Sequence, residues 1–267
     1  MFDISYDIIF CIDKKFNKQA FLSIASFYNT NQNFKNKIYI IHKSPRTFKK
    51  YSKKIEQLFP KSNLELVKFK FNIKHYPNLK TAHVSEATYY RLFIADHVDS
   101  LSSNLVYIDA DAFFIKDVDK EILEISQVLN SQNLLLSAKT EHTYSEAIDL
   151  FKRLGIKDRY FNAGIMIINF QKWKNEDVSE KLRAKVDQIK NSINYWDQDV
   201  LNSFVNGEFK ELPLNLNYTV DVSNGKTIIP NEIKIIHYSG KSKPWDKEKK
   251  SVDYVSYYEE LEQYFKI

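Results

Sequence analysis

Along the first half of the chain, short unbroken apolar runs alternate with stretches in which apolar residues recur at helical spacing. Asp7 to Asp13 reads as a buried strand ending in an acid, and Lys18 to Tyr28 as a helix. Lys37 to His42 predicts a second strand. Pro45 to Phe59 predicts a helix opened by one proline and stopped by Pro60. Leu64 to Phe69 predicts a third strand, Glu86 to Ala95 a helix, and Leu105 to Ile108 a fourth strand. Such alternation predicts an α/β fold with a mainly parallel central sheet flanked by helices.

The second half is less regular. Asn133 to Ala138, Ala163 to Phe170 and Glu232 to Tyr238 read as strands, and Ser179 to Lys190 and Asp197 to Phe204 as helices. A tail follows with Lys247, Lys249 and Lys250, then Tyr257, Tyr258 and Phe265. There is no repeat and no low-complexity linker. The expected division is a catalytic domain over 1–245 and a basic, aromatic tail over 246–267.

The strand ending at Ile108 runs into Asp109-Ala110-Asp111, after which apolar residues resume. Acids inside such a run must be solvated, paired or bound to something. Side chains at i and i+2 of an extended segment point the same way. Asp109 and Asp111 can thus face one cation, with Ala110 leaving room for a ligand. Oxygen ligands of this kind suit magnesium or manganese, which commonly bridge to phosphate. In isolation the tripeptide would more often be a turn or a capped helix start.

At 267 residues, the chain can bury a sizeable core as one large domain or two small ones. The net charge of +5 suits an anionic ligand or an acidic membrane surface and is too sparse to argue for nucleic acid. Cys11 is the only cysteine, so no internal disulfide can form, which fits a reducing compartment. No apolar run is long enough to span a bilayer, and no basic region precedes a leader-like segment. The Gly-rich dinucleotide fingerprint is absent after the first strand.

Further polar residues interrupt apolar elements. Asp13 ends the first strand, where open α/β sheets bind ligands, although a helix cap explains it equally well. Arg91 lies inside a helix and can reach a phosphate or sugar hydroxyl. Asn162, Ala163 and Gly164 open an apolar strand with a hydrogen-bonding amide and two small residues. Asp197, Gln198 and Asp199 begin a helix beside Tyr195 and Trp196. His237 ends a strand, Gly240 permits a tight turn, and Lys243 can reach a phosphate. Each has a bland reading as a cap, a turn or a surface charge.

In this order, these segments resemble glycosyltransferase family eight, and within it the bacterial lipopolysaccharide and lipooligosaccharide α-galactosyl- and α-glucosyltransferases. The resemblance rests on Tyr107-Ile108-Asp109-Ala110-Asp111, Phe161-Asn162-Ala163-Gly164, Asp197-Gln198-Asp199 and His237-Tyr238-Ser239-Gly240, with Lys243-Pro244-Trp245 beyond. It implies a GT-A fold, a UDP-sugar donor, manganese (magnesium as second choice) and retention of anomeric configuration. Asp109, Asp111 and His237 match the metal ligands, and Asp13 matches the acid that contacts uracil. Arg91, Asn162, Asp197 and Gln198 match donor-sugar contacts, with Ala110 and Ala163 beside them. Gly240 and Lys243 match the diphosphate grip. Gln198 matches the group on the reacting face of the sugar, with Asp199 and Asp197 as acidic neighbours.

Lys14 and Lys15 stand where the family often has an acid and an Asn, which leaves the ribose contacts unassigned. Thr140 and Glu141 fall where relatives often carry a sugar-holding acid.

The function expected is therefore transfer of galactose or glucose from a UDP-sugar to a glycan, lipid-linked glycan or glycoprotein acceptor. The rival readings are a metal-dependent nucleotide-sugar hydrolase or phosphoryl-transfer enzyme, and a non-catalytic carbohydrate-binding protein on the same fold. Front-face attack is favoured, because the amide of Gln198 is a poor nucleophile. The expected location is cytoplasmic. The tail reads either as a solvated loop and terminal helix or as a loose attachment to the anionic inner face of the cell membrane.

Overall fold

The computed structural model describes residues 5–77, 85–222, 228–246 and 252–267, which excludes Lys247, Lys249 and Lys250 of the tail. The first half contains β1 (Tyr6–Ile12), α1 (Asn17–Thr30), β2 (Ile38–His42), α2 (Lys49–Leu58), β3 (Leu64–Lys68), α3 (Ile94–His97), β4 (Asn104–Ile108) and β5 (Ala112–Phe114). Next come α4 (Asp119–Ser131), β6 (Leu136–Thr143), α5 (Ile148–Leu154), β7 (Arg159–Asn169), α6 (Phe170–Asn175) and α7 (Val178–Ile189). The rest comprises α8 (Trp196–Val205), β8 (Lys210–Glu211), β9 (Tyr218–Thr219), β10 (Ile235–His237) and α9 (Val252–Tyr264).

Seven strands form the central sheet in the order β3-β2-β1-β4-β7-β6-β8. The first four are mutually parallel, whereas β7 runs antiparallel to both β4 and β6. An unbroken apolar run shows that a strand is buried on both faces but not which way it points. In β1, Ile8, Phe10 and Ile12 enter the core shared with α1, α2 and α9, while Ile9 and Cys11 enter the core under α7 and α8. A small sheet, β5-β10-β9, lies beside the large one and shares the first of these cores.

Strand order places the site. From β1 the chain steps outward to β2 and β3, then returns to lay β4 on the other flank of β1. The carboxyl ends of β1 and β4 therefore diverge into a crevice, the usual ligand position in open α/β sheets.

Three segments depart from the sequence reading. Pro45–Phe48 is a 3-10 turn that leads into α2, and Pro60, lacking an N–H, follows the helix end. The segment expected to be one helix over Glu86 to Ala95 is 3-10 from Glu86 to Phe93 and α-helical only from Ile94. At three residues per turn, Thr88 and Arg91 eclipse each other and both reach Asp197. Asp109 to Asp111 is a turn between β4 and β5, closed by Ala112 N–H donating to the Asp109 carbonyl at 3.1 Å, not a continued strand. The tail's aromatics are largely internal. Tyr258 and Phe265 are buried against α1 and β5, and Tyr257 donates to the Phe114 carbonyl at 2.7 Å.

Candidate active site

A cleft of about 490 Å3 opens at the crevice between β1 and β4. Its lining includes Asp109, Ala110, Asp111, Asn162, Ala163, Asp197, Gln198, His237, Gly240 and Lys243, all sites expected from the sequence. Asp13 lies just outside it: Ile12 and Phe16 line the cleft on either side, while the Asp13 carboxylate accepts from Lys15 N–H at 2.8 Å as an N-cap.

Each potential cation ligand is held by one atom, leaving another for the cleft. Asp109 Oδ1 accepts from Arg91 Nη2 at 2.8 Å and from the Tyr107 hydroxyl at 2.6 Å, leaving Oδ2. Asp111 Oδ2 takes Lys243 Nζ at 2.7 Å, and its buried Oδ1 has no hydrogen-bond partner. His237 Nδ1 meets Asn217 Oδ1 at 3.0 Å, leaving Nε2 at 3.4 Å from Asp111 Oδ1 and 4.0 Å from Asp109 Oδ2. The ligand atoms of all three residues lie within 4.8 Å of one another. Two carboxylate oxygens and one imidazole nitrogen fit a divalent cation, and an orphaned buried carboxylate oxygen is what such an ion would satisfy.

Gly164 shapes this cradle. A Cβ there would stand 2.2 Å from His237 Cε1, 2.7 Å from Nε2 and 2.9 Å from Asp109 Oδ2. Only glycine leaves the space between them open. At the other end, Gly240 turns the chain with φ +90°, the region that favours glycine.

Arg91 organises the floor. Its side chain is 6% exposed and ion-pairs with both Asp109 and Asp197 at 2.8 Å. It also donates to the Ala163 carbonyl at 2.5 Å, with its guanidinium 4.0 Å above the Tyr107 ring. Burial opposes its charge, but the two carboxylates overcome this and hold it protonated. Burial also dominates at Asp197, pushing its carboxyl up to about 6 against the opposing pull of Arg91 and a hydrogen bond from Thr88. Asp111 goes the other way: burial alone would raise it, yet the Lys243 ammonium at 2.7 Å holds it below the usual carboxylate range.

A second polar network lines the same cleft. Ala163 N–H donates to Gln198 Oε1 at 3.0 Å, so Gln198 Nε2 faces Glu141 and donates to it at 2.7 Å. Irregular pairing of β6 with β7 on either side of Lys139 and Thr140 turns Glu141 into the cleft, a common effect of bulges.

Asp199 is not in the cleft. It is fully buried, with Oδ1 accepting from Tyr160 and Oδ2 from Arg153 and the Asn194 and Tyr195 N–H groups. This corrects its assignment as a catalytic group: its carboxylate is fully engaged in clamping the turn before α8. That turn holds Trp196 at φ +47°, strained for an aromatic residue, and delivers Asp197 and Gln198 to the cleft.

Sequence reasoning gave no role to Asn217 or Thr88, and took Gly164 only as a small residue that lets a ligand approach the backbone. Gly164 carried a signal, as one of only five glycines. Asn217 follows the 3-10 turn Leu214–Leu216, just before β9, and carried none.

The model of the family described as glycosyl transferase family 8 matches residues 7–249. A lipopolysaccharide 1,2-glucosyltransferase of Escherichia coli (strain K12) is 26% identical over 253 residues, covering 90% of this chain and 73% of that protein. A lipopolysaccharide 1,3-galactosyltransferase of Salmonella typhimurium (strain LT2) is 25% identical over 249 residues, with the same coverages. Among solved structures, the galactosyltransferase LgtC in complex with donor and acceptor sugar analogues superposes with a TM-score of 0.75 at 19% identity, covering 96% of this chain and 95% of that one. That likeness fixes the fold as GT-A. With the family model spanning nearly the whole sequence, the chain belongs to glycosyl transferase family 8.

Proposed function

We propose that this enzyme transfers galactose or glucose from a UDP-hexose to a glycan acceptor with retention of anomeric configuration. The observation that carries the reading is the meeting, in one cleft, of a three-ligand cation cradle and the sugar-facing set Asn162, Asp197 and Gln198. A non-catalytic carbohydrate-binding protein leaves the cation cradle without a role, a phosphoryl-transfer enzyme leaves the sugar-facing set without one, and a nucleotide-sugar hydrolase is separated by the assay below.

Asp109, Asp111 and His237 would hold the cation, manganese by preference and magnesium as second choice. Bound there, it would supply positive charge to the departing diphosphate. Lys243 lies beside it, paired with Asp111, and can shift to a phosphate oxygen. Asp197, buried and ionised at neutral pH, accepts hydrogen bonds from sugar hydroxyls, and Asn162 lines the same wall. Gln198 has both ends of its amide engaged, which fixes its dipole beside the donor sugar. A neutral, oriented amide steadies an oxocarbenium-like sugar and does not attack it. Asp199 has no oxygen to spare as a covalent nucleophile. The acceptor hydroxyl therefore attacks from the face that the diphosphate leaves. Asp13 is proposed to meet the uracil with the oxygen that its capping bond leaves over.

The acceptor is proposed to be a lipopolysaccharide-type or other lipid-linked glycan, with a glycoprotein as the alternative. The proposed location is the cytoplasm, in loose contact with the inner face of the cell membrane. No helix among the described residues is long and apolar enough to cross a membrane.

Incubation with UDP-glucose and UDP-galactose, with and without manganese, across an array of glycan acceptors tests the proposal. Proton NMR of the product should show an α-linkage. A β-linked product refutes retention, and UDP release without glycan elongation on any acceptor favours the hydrolase.

A further inference from the structure

The cation cradle and the sugar pocket are joined by a buried chain of side-chain amides whose polarity can be read from one backbone donor. Gly164 N–H can only donate, and it lies 3.1 Å from the nearer atom of the Asn162 amide, which must therefore be Oδ1. That oxygen also lies 3.2 Å from the Asn217 amide, which must present Nδ2 to it. Asn217 Oδ1 then faces His237 Nδ1 at 3.0 Å, so Nδ1 must carry the proton. The lone pair is left on Nε2, the atom nearest to Asp109 and Asp111. Asn217 is fully buried, so no water competes to reverse the order. Its position is set by the pairing of β9 with β10, which aligns Thr219 with His237.

We infer that Asn217 is a positioning residue that fixes His237 in the Nδ1–H form and so readies Nε2 for the cation. Resting on the cation site of the proposed function, this inference gives the specificity of that site a cause outside the ligand set. It also ties the ligand to Asn162 on the sugar wall, so donor and cation share one hydrogen-bond chain. No sequence motif marks Asn217, whose role appears only when the amide orientations are worked out in order.

Two measurements test it. Long-range 1H–15N NMR of histidine-labelled protein, with the His237 signals assigned from His237→Gln, reports the tautomer directly. The expected neutral form carries its proton on Nδ1, and a proton on Nε2 overturns the inference. Manganese uptake in the presence of UDP, followed by the EPR signal of free manganese, reports the consequence. Asn217→Leu should lower affinity 10- to 100-fold, the usual effect of losing a hydrogen-bond partner behind a metal ligand. Asn217→Asp gives up the bond to Asn162 Oδ1 but keeps an oxygen for Nδ1–H, and because a carboxylate behind a metal-ligating imidazole raises its basicity it should recover most of that loss. Asn217→Leu binding manganese as tightly as wild type, or Asn217→Asp binding as weakly as Asn217→Leu, overturns the role. Should Asn217→Leu fail to fold, the wild-type tautomer and Asn217→Asp still decide. Wild-type protein that takes up no cation fails differently, because it removes the cation site itself.

Discussion

Replacing Gly164 with alanine adds one methyl group at the centre of the cradle. The new Cβ would sit 2.2 Å from His237 Cε1, roughly 1.3 Å inside an unstrained carbon–carbon contact. Neither neighbour can easily retreat, because His237 is held by Asn217 at 3.0 Å and Asp109 by Tyr107 at 2.6 Å. Overpacking of this kind costs about 1–3 kcal/mol, so the variant should fold with a moderately lower melting temperature. Binding should suffer far more, since the methyl group fills the space between two of the three ligands. Wild-type protein with manganese and UDP at 100 times Kd should gain about 2.7 kcal/mol. That is a rise of roughly 5–10 °C for a domain of this size. Gly164→Ala should lose this ligand-dependent rise, as differential scanning fluorimetry with and without each ligand would show. A variant that keeps the full rise would refute the placement of the cation beside Gly164.

The other expectations can be checked on the same protein. Asp111→Asn should cut turnover by orders of magnitude and lower the melting temperature modestly, because Lys243 loses its carboxylate partner, and a variant with wild-type turnover would contradict the ligand assignment. Gln198→Ala should lower kcat only partly, since one dipolar group is worth a few kcal/mol at most. A glycosyl adduct on the enzyme, forming and decaying fast enough for turnover, would reverse the front-face reading. Arg91→Leu strands the buried Asp197 carboxylate, together with the partly exposed Asp109, and should destabilise the fold by about 3–5 kcal/mol, measured by urea denaturation. Because burial places the Asp197 carboxyl at about 6, kcat/KM should climb through that pH as its charged, sugar-accepting form appears, and Asp197→Asn should flatten the limb. The stability effect has the opposite sign: this raised carboxyl favours folding below the unfolded pKa near 3.9, and that help is lost as pH rises through about 6.

What the sequence made legible follows from the range of the forces involved. The runs in β1, β2 and β4 could be read because a strand buried on both faces needs apolar residues throughout, and β3, at the sheet edge, because Leu64 and Leu66 alternate with the polar residue between them. The turn at Asp109 was read as extended because i and i+2 acids look alike in a strand and a tight turn. The 3-10 stretch over Glu86–Phe93 was hidden because its apolar residues also fit a helix, and only Asp197 gives Thr88 and Arg91 a reason to eclipse. Asp199 was misplaced for a related reason. An acid in the first turn of a helix looks the same whether it faces a ligand or, as here, clamps the preceding backbone. Asn217 could not have been found, because its role depends on the orientation of two other side chains.

The cation cradle draws on residues far apart in the chain, with Asp109 and Asp111 on one turn and His237 on β10. During synthesis, the first two ligands leave the ribosome long before the third. In the finished fold β4 pairs with β1, but the imidazole of the site arrives only with β10, which pairs with β5. On the proposed mechanism, chemistry on the sugar nucleotide becomes available only once β10 is in place. Chains stalled or cut short of β10 would be inert toward their donor instead of hydrolysing it to no purpose.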